Sequence, residues 1–102
     1  MTDNEDNLWR NGLDLVPEHM RPSVRNYLEH GLYPGSFVEA LFANDLAVAI
    51  QLADEINFKS LRNLMKFVTL YAPSTSQHSY HNVKTWQESQ QRISKELRKG
   101  IP

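Results

Sequence analysis

Apolar side chains recur along this 102-residue chain at three- and four-residue intervals, in short bursts divided by glycine, proline and polar corners. That is the period of helices, and no window alternates as a strand would. Pro22 suits a first helical turn, and Val24, Tyr27 and Leu28 then share one face of a helix that stops at His30-Gly31. A second helix begins at Ser36 and buries Phe37, Ala40 and Leu41. Asn44-Asp45 interrupts it, since both residues are good helix N-caps. Leu46, Ala47, Val48, Ala49, Ile50, Leu52 and Ala53 follow, apolar almost all round. A short helix without a polar face belongs at the centre of a fold, so this segment is the expected core element. Asn57 is the expected cap of the next helix, running over 58–71 with Leu61, Leu64, Met65 and Val68 as its buried stripe, widened by Phe58, Phe67, Leu70 and Tyr71. Ala72-Pro73 ends it, and Ser74–Ser79 is a polar loop without periodicity. From about Tyr80 a last helix runs to Lys99, with Val83, Trp86, Ile93 and Leu97 on one side and Gly100 as its terminator.

The corners are chemically specified. In His30-Gly31-Leu32-Tyr33-Pro34-Gly35-Ser36-Phe37-Val38-Glu39 one helix closes and another opens within a few residues. Gly31 can adopt the left-handed conformation that terminates a helix, Pro34-Gly35 makes the turn, and Ser36 with Glu39 has the spacing of a capping box. Residues 1–7 read as a disordered acidic lead, and 8–16 as an apolar arm across the core, with Gly12 breaking any helix that starts there. The expectation is an all-α, compact single-domain bundle of about five short helices over residues 8–102, joined by tight Gly/Pro/Ser corners.

Composition adds exclusions. With no cysteine, the chain has neither disulfides nor thiolate chemistry. No apolar run approaches the ~18 residues of a bilayer span, and the acidic start is the reverse of a signal peptide's order, so the cytoplasm is the expected location. The net charge of −1 hides a split. Residues 1–55 hold ten acids against Arg10, Arg21 and Arg25, whereas residues 56–102 hold eight lysines and arginines against Glu88 and Glu96. Such asymmetry marks either a basic face for an acidic partner or two halves that neutralise each other on packing.

Enzyme signatures are missing. There is no phosphate-cradling Gly-rich loop before Lys-Ser/Thr, no Gly-x-Ser-x-Gly elbow and no His-Glu-x-x-His helix. Asp54 and Glu55 are adjacent, point to different sides of a helix and read as solvated charges. His78 and His81 straddle a loop–helix junction with no carboxylate or thiol to complete a metal shell, so no catalytic, cofactor or metal residue is assigned. The most prominent polar surface is the stripe Lys59, Arg62 and Lys66, whose spacing puts three cations on one helical face. Arg92, on the last helix, could extend it toward phosphates or carboxylates. A solubilising face would carry the same residues. Tyr33 in the Pro-Gly corner is a further contact residue of the kind that anchors interfaces. Reading 45–55 as a supporting helix and 58–71 as a recognition helix gives a helix-turn-helix alternative, though only Arg62 and Asn63 would read bases there. A self-assembling component using the seam of the last helix is a third.

The order His19-Met20-Arg21, Tyr27-Leu28-Glu29-His30-Gly31, Pro34-Gly35-Ser36-Phe37, Asn44-Asp45-Leu46 and Ala53-Asp54-Glu55 resembles a group of small helical proteins of tailed phages and prophages, over roughly residues 15–73. After Pro73 the chain departs from that pattern, with its polar loop and long polar helix. The resemblance implies an accessory protein expressed inside a bacterial host, whose cytoplasm is then the expected location. The expected function is therefore non-enzymatic binding and modulation of a host protein or complex, such as inhibition of a defence system of the CRISPR type.

Overall fold

The computed structural model describes residues 7–99, with the side chains of 97–99 set aside. The acidic lead before Asn7, the Leu97 side chain of the expected seam and the Gly100 stop lie outside the described residues. All regular structure in this range is helical: α1 (Arg21–His30), α2 (Ser36–Phe42), α3 (Leu46–Leu52), α4 (Glu55–Lys59), α5 (Leu61–Leu70) and α6 (Tyr80–Lys99), with 3-10 segments at Leu8–Leu15, Glu18–Met20 and Ser74–Ser76. The all-α expectation holds, with six α-helices in place of about five. The extra one arises because the helix expected over 58–71 is broken at Ser60, which leaves the helical basin at φ −96°, ψ 7°.

The core forms where α1, α2, α5 and the start of α6 converge. Trp9, Val24, Tyr27, Leu28, Val38, Phe42, Leu64, Phe67, Val68 and Val83 are each almost wholly buried there. A chain of rings runs through it. Tyr27 meets Phe42 edge-on at 5.1 Å, Phe42 meets Phe67 at 6.5 Å, and Phe67 stacks on Tyr71 at 6.4 Å.

The amino-terminal arm does lie on this core, but Gly12 does not break it. The 3-10 segment Leu8–Leu15 continues through Gly12, which is buried because the Tyr71 ring lies where a Cβ would stand. Absence of a side chain serves close approach here. Trp9 is inserted beneath the Arg10 guanidinium, whose centre lies 4.3 Å from the indole ring. Arg21 donates to the carbonyls of Leu13 and Val16 at 3.1 and 2.9 Å and so fixes where the arm ends.

Gly31 closes α1 as expected, at φ 71°. Carbonyls at this end, of which that of Tyr27 also accepts from the Gly31 N–H at 3.0 Å, are taken up by side chains of α6. Trp86 Nε1 donates to the Tyr27 carbonyl at 3.1 Å, Gln90 to Leu28 at 3.0 Å and Gln91 to Gly31 at 2.9 Å. The approach is so close that a Cβ on Gly31 would collide with the Gln87 carbonyl oxygen. The glutamines of α6 therefore dock the helix, where the hydrophobic pattern assigns that role to an apolar seam alone.

The expected capping box is absent. Gly35 occupies the N-cap position of α2, Ser36 is already its first residue, and the Ser36 hydroxyl pairs with Tyr33 at 3.1 Å. The polar 74–79 segment is anchored at its centre. Ser76 and Gln77 are buried, and Gln77 donates to the carbonyls of Val68 and Ala72 at 2.6 and 3.1 Å, closing the end of α5. Buried amides and hydroxyls with all bonds made tie loops down firmly.

Gly31→Ala is expected to lower stability by about 2–4 kcal/mol, because it combines a left-handed backbone with a backbone clash. Urea unfolding should show the midpoint falling at an unchanged slope. A variant as stable as the parent would mean that α6 does not seat here.

Candidate functional site

The segment expected to be most buried is largely exposed. Of α3, only Ala49 is fully buried, while Leu46, Ile50 and Leu52 are 46, 42 and 47% exposed. This overturns its assignment as the core element. A helix of seven residues packed mainly on α2 has one narrow contact face, and small Ala49 is what fits there. Asp45 caps α3, its Oδ1 accepting from the Val48 N–H at 3.3 Å and its Oδ2 from the Tyr80 hydroxyl at 2.6 Å.

In α4 the pattern is inverted. Asn57 is 3% exposed and its Oδ1 is buried with no hydrogen-bond partner among the described residues. Its neighbours Ile56 and Phe58 are 58 and 55% exposed. A buried unpaired amide oxygen costs about 1–3 kcal/mol, and outward-facing Ile and Phe forgo burial worth about 1.5–3 kcal/mol each. Isolated exposed apolar residues are ordinary. A buried amide flanked on both sides by exposed large apolar side chains is not.

Asp54, expected as a solvated charge, positions this helix. Its Oδ1 accepts from the Asn57 N–H at 2.7 Å, displacing Asn57 from the capping role expected of it. Its Oδ2 pairs with His19 Nε2 at 3.3 Å, tying α4 to the Glu18–Met20 turn. Between them lies an open hollow of about 610 Å³ lined by Pro17, Glu18, His19, Ile56 and Ser60. A second groove, about 360 Å³, runs between the Ser74–Ser76 turn and α6, lined by Thr75, Trp86, Ser89, Gln90 and Ile93 among others. No group of three or more metal-ligating side chains converges among the described residues. Nor is any helix there long and apolar enough to cross a membrane.

The residues expected to contact a partner are not brought together on one helix. Lys59 ends α4 and pairs with Glu55 at 3.6 Å, whereas Arg62 and Lys66 lie on α5, beyond the break at Ser60. All three are exposed, as are Tyr33 on the α1–α2 corner and Arg92 on α6. The same break divides the expected recognition helix, and α4 intervenes between the two members of the helix-turn-helix reading. Sequence periodicity missed the α3–α4 surface because exposure of an apolar residue leaves no local mark. The one signal available was Asn57, a polar residue between two large apolar ones at the start of a helix.

Comparison with models of known protein families, with curated proteins and with solved structures finds no match.

Two tyrosines carry raised pKa values. Burial, with the Glu39 charge adding, moves Tyr27 well above the ordinary tyrosine range, and its hydroxyl donates to the Ser76 carbonyl at 2.7 Å. The hydrogen bond to Asp45 is the main cause at Tyr80, which is pushed up to about 12. Because the fold favours the protonated phenols, their contribution is complete below the unfolded-state pKa near about 10 and declines as pH rises above it. Replacing both with Phe should flatten the alkaline fall in urea midpoint while lowering stability at neutral pH through the bonds lost. An alkaline fall as steep as the parent's would place its origin elsewhere. Asn57→Leu should leave thermal stability unchanged or raise it, since it removes the unpaired buried oxygen at similar volume. A clear drop would show that the amide has a partner.

Proposed function

We propose that this protein is a non-enzymatic binding protein that engages a host protein or complex through the surface of α3 and α4. The single observation carrying the reading is the burial of Asn57, with its side-chain oxygen unpaired, while Ile56 and Phe58 stand in solvent. Local rules of sequence and structure agree almost everywhere in a natural protein, and where they are broken at a cost, function is the usual reason. Leu46 and Ile50, one helical turn apart on α3, extend the apolar character. Five large apolar side chains exposed within residues 46–58 are the material of a contact surface. The resemblance to phage and prophage proteins supplies the class of partner, a component of the bacterial cell, with defence complexes among the targets. The cations Lys59, Arg62 and Lys66 then serve at its margin, where charge steers encounter more than it holds the complex.

The test is capture of the bacterial partner with three forms of the protein, with and without nuclease. Ile50→Lys/Phe58→Ser should weaken capture by about 2 kcal/mol or more, the scale of an interface anchor. Charge reversal at Lys59, Arg62 and Lys66 together should slow association at low salt and reverse its salt dependence while leaving a complex. Capture undiminished by the first variant, or abolished by nuclease, would defeat the reading.

A further inference from the structure

We propose that the groove between the Ser74–Ser76 turn and α6 binds a neutral sugar ring, at a site separate from α3 and α4. It is the hollow of about 360 Å³ lined by Thr75, Thr85, Trp86, Ser89, Gln90 and Ile93. Small-molecule sites run from about 300 to 1,000 Å³, so its size suits a compact ligand.

Both walls are held by one residue. Tyr27 accepts the Trp86 indole N–H at its carbonyl, at 3.1 Å, and its own hydroxyl donates to the Ser76 carbonyl at 2.7 Å. The Ser76 hydroxyl donates in turn to the Pro73 carbonyl at 2.6 Å, and the Gln90 amide to the Leu28 carbonyl at 3.0 Å. The groove is therefore set before a ligand arrives, and less ordering opposes binding.

The chemistry of the lining is selective. None of its side chains is ionisable. Glu88 and Arg92 are exposed on the same helix, but neither lines the groove. The hydroxyls of Thr75, Thr85 and Ser89 make no hydrogen bond among the described residues. A helical Ser or Thr can bond the carbonyl four residues back, as Thr69 does to Met65 at 2.8 Å. Thr85 and Ser89 leave that option unused. Each such hydroxyl can donate and accept, and so can each hydroxyl of a sugar, which reproduces the bonds of the water it displaces. Apolar contact comes from Ile93, 50% exposed, and from Trp86, whose polar N–H is spent inward. The negative π-face of an indole favours the weakly positive C–H face of a pyranose. A neutral ligand with an apolar face and a rim of hydroxyls satisfies all these groups together.

The test is titration of the full chain, followed by proton–nitrogen correlation spectra, with the methyl glycosides of glucose, galactose, mannose and N-acetylglucosamine through the millimolar range. At least one should shift the Trp86 indole signal and the amides of Thr75 and Ser89 together and saturably, leaving the Trp9 indole unmoved. Its affinity should be equal at low and high salt, because no charge lines the groove. Thr85→Val/Ser89→Ala, which removes two hydroxyls and keeps the helix, should weaken binding by about tenfold or more, and circular dichroism verifies its fold. Cellobiose and chitobiose distinguish the sources: tighter binding than the matching monosaccharide identifies a glycan chain, and equal binding a free sugar. No saturable shift with any glycoside, binding that weakens with salt, or a double variant that binds like the parent would each overturn the proposal. So would adenosine moving these signals where the glycosides do not, since the groove would then be a stacking site for a base.

Discussion

The carboxyl end of α1 is the junction on which the remaining structure depends. Three carbonyls there, at Tyr27, Leu28 and Gly31, accept from Trp86, Gln90 and Gln91 of α6. Left dry and unpaired, those of Leu28 and Gly31 would cost about 1–3 kcal/mol each; left wet, they would keep α6 away from the core. Gly31 makes the approach possible by having no side chain and by taking a positive φ. Tyr27 adds a third link, since its hydroxyl reaches the Ser76 carbonyl and its ring stands edge-on to Phe42. One residue thus joins α1, α2, α6 and the turn before α6.

The same device recurs on a smaller scale. Gln77 closes α5, Asp45 opens α3, Asp54 opens α4, and the Ser79 hydroxyl accepts from the Asn82 N–H at the start of α6. Short helices have a high proportion of unpaired ends, and a domain of this size has a modest apolar core with which to offset them. Polar side chains aimed at backbone therefore carry much of the specificity. With those ends tied, the molecule can leave α3 and α4 facing outward without losing its shape.

Much of the fold was legible in the sequence because it is written locally. Apolar spacing located α1, α2, α5 and α6, and Gly31 closes its helix as its position in the pattern indicates. Three things were not legible. Side chain-to-backbone bonds between distant segments, such as Gln90 to Leu28, leave no periodic trace, so the polar face of α6 read as solvent-facing. The break at Ser60 lies inside an unbroken apolar pattern and is decided by how α4 and α5 pack. The exposure of α3 ran against its composition: Leu46, Ile50 and Leu52 are apolar, yet the helix rests on the fold through Ala49 and the half-buried Val48. Of the contact residues chosen from sequence, Lys59, Arg62, Lys66, Tyr33 and Arg92 are all at the surface, but the apolar groups beside them were invisible as a site.

The partners that complete α1 are supplied late. Between the carbonyls of Tyr27, Leu28 and Gly31 and the side chains that satisfy them lie 59 to 62 residues of chain. A ribosome making this protein has therefore finished the first four helices well before Trp86 is even polymerised. Until then those carbonyls lack their side-chain donors, and the nascent domain offers chaperones and proteases an unsealed interior. The final helix is in this sense the latch of biogenesis, and the cell's window for intercepting the protein closes when it swings shut.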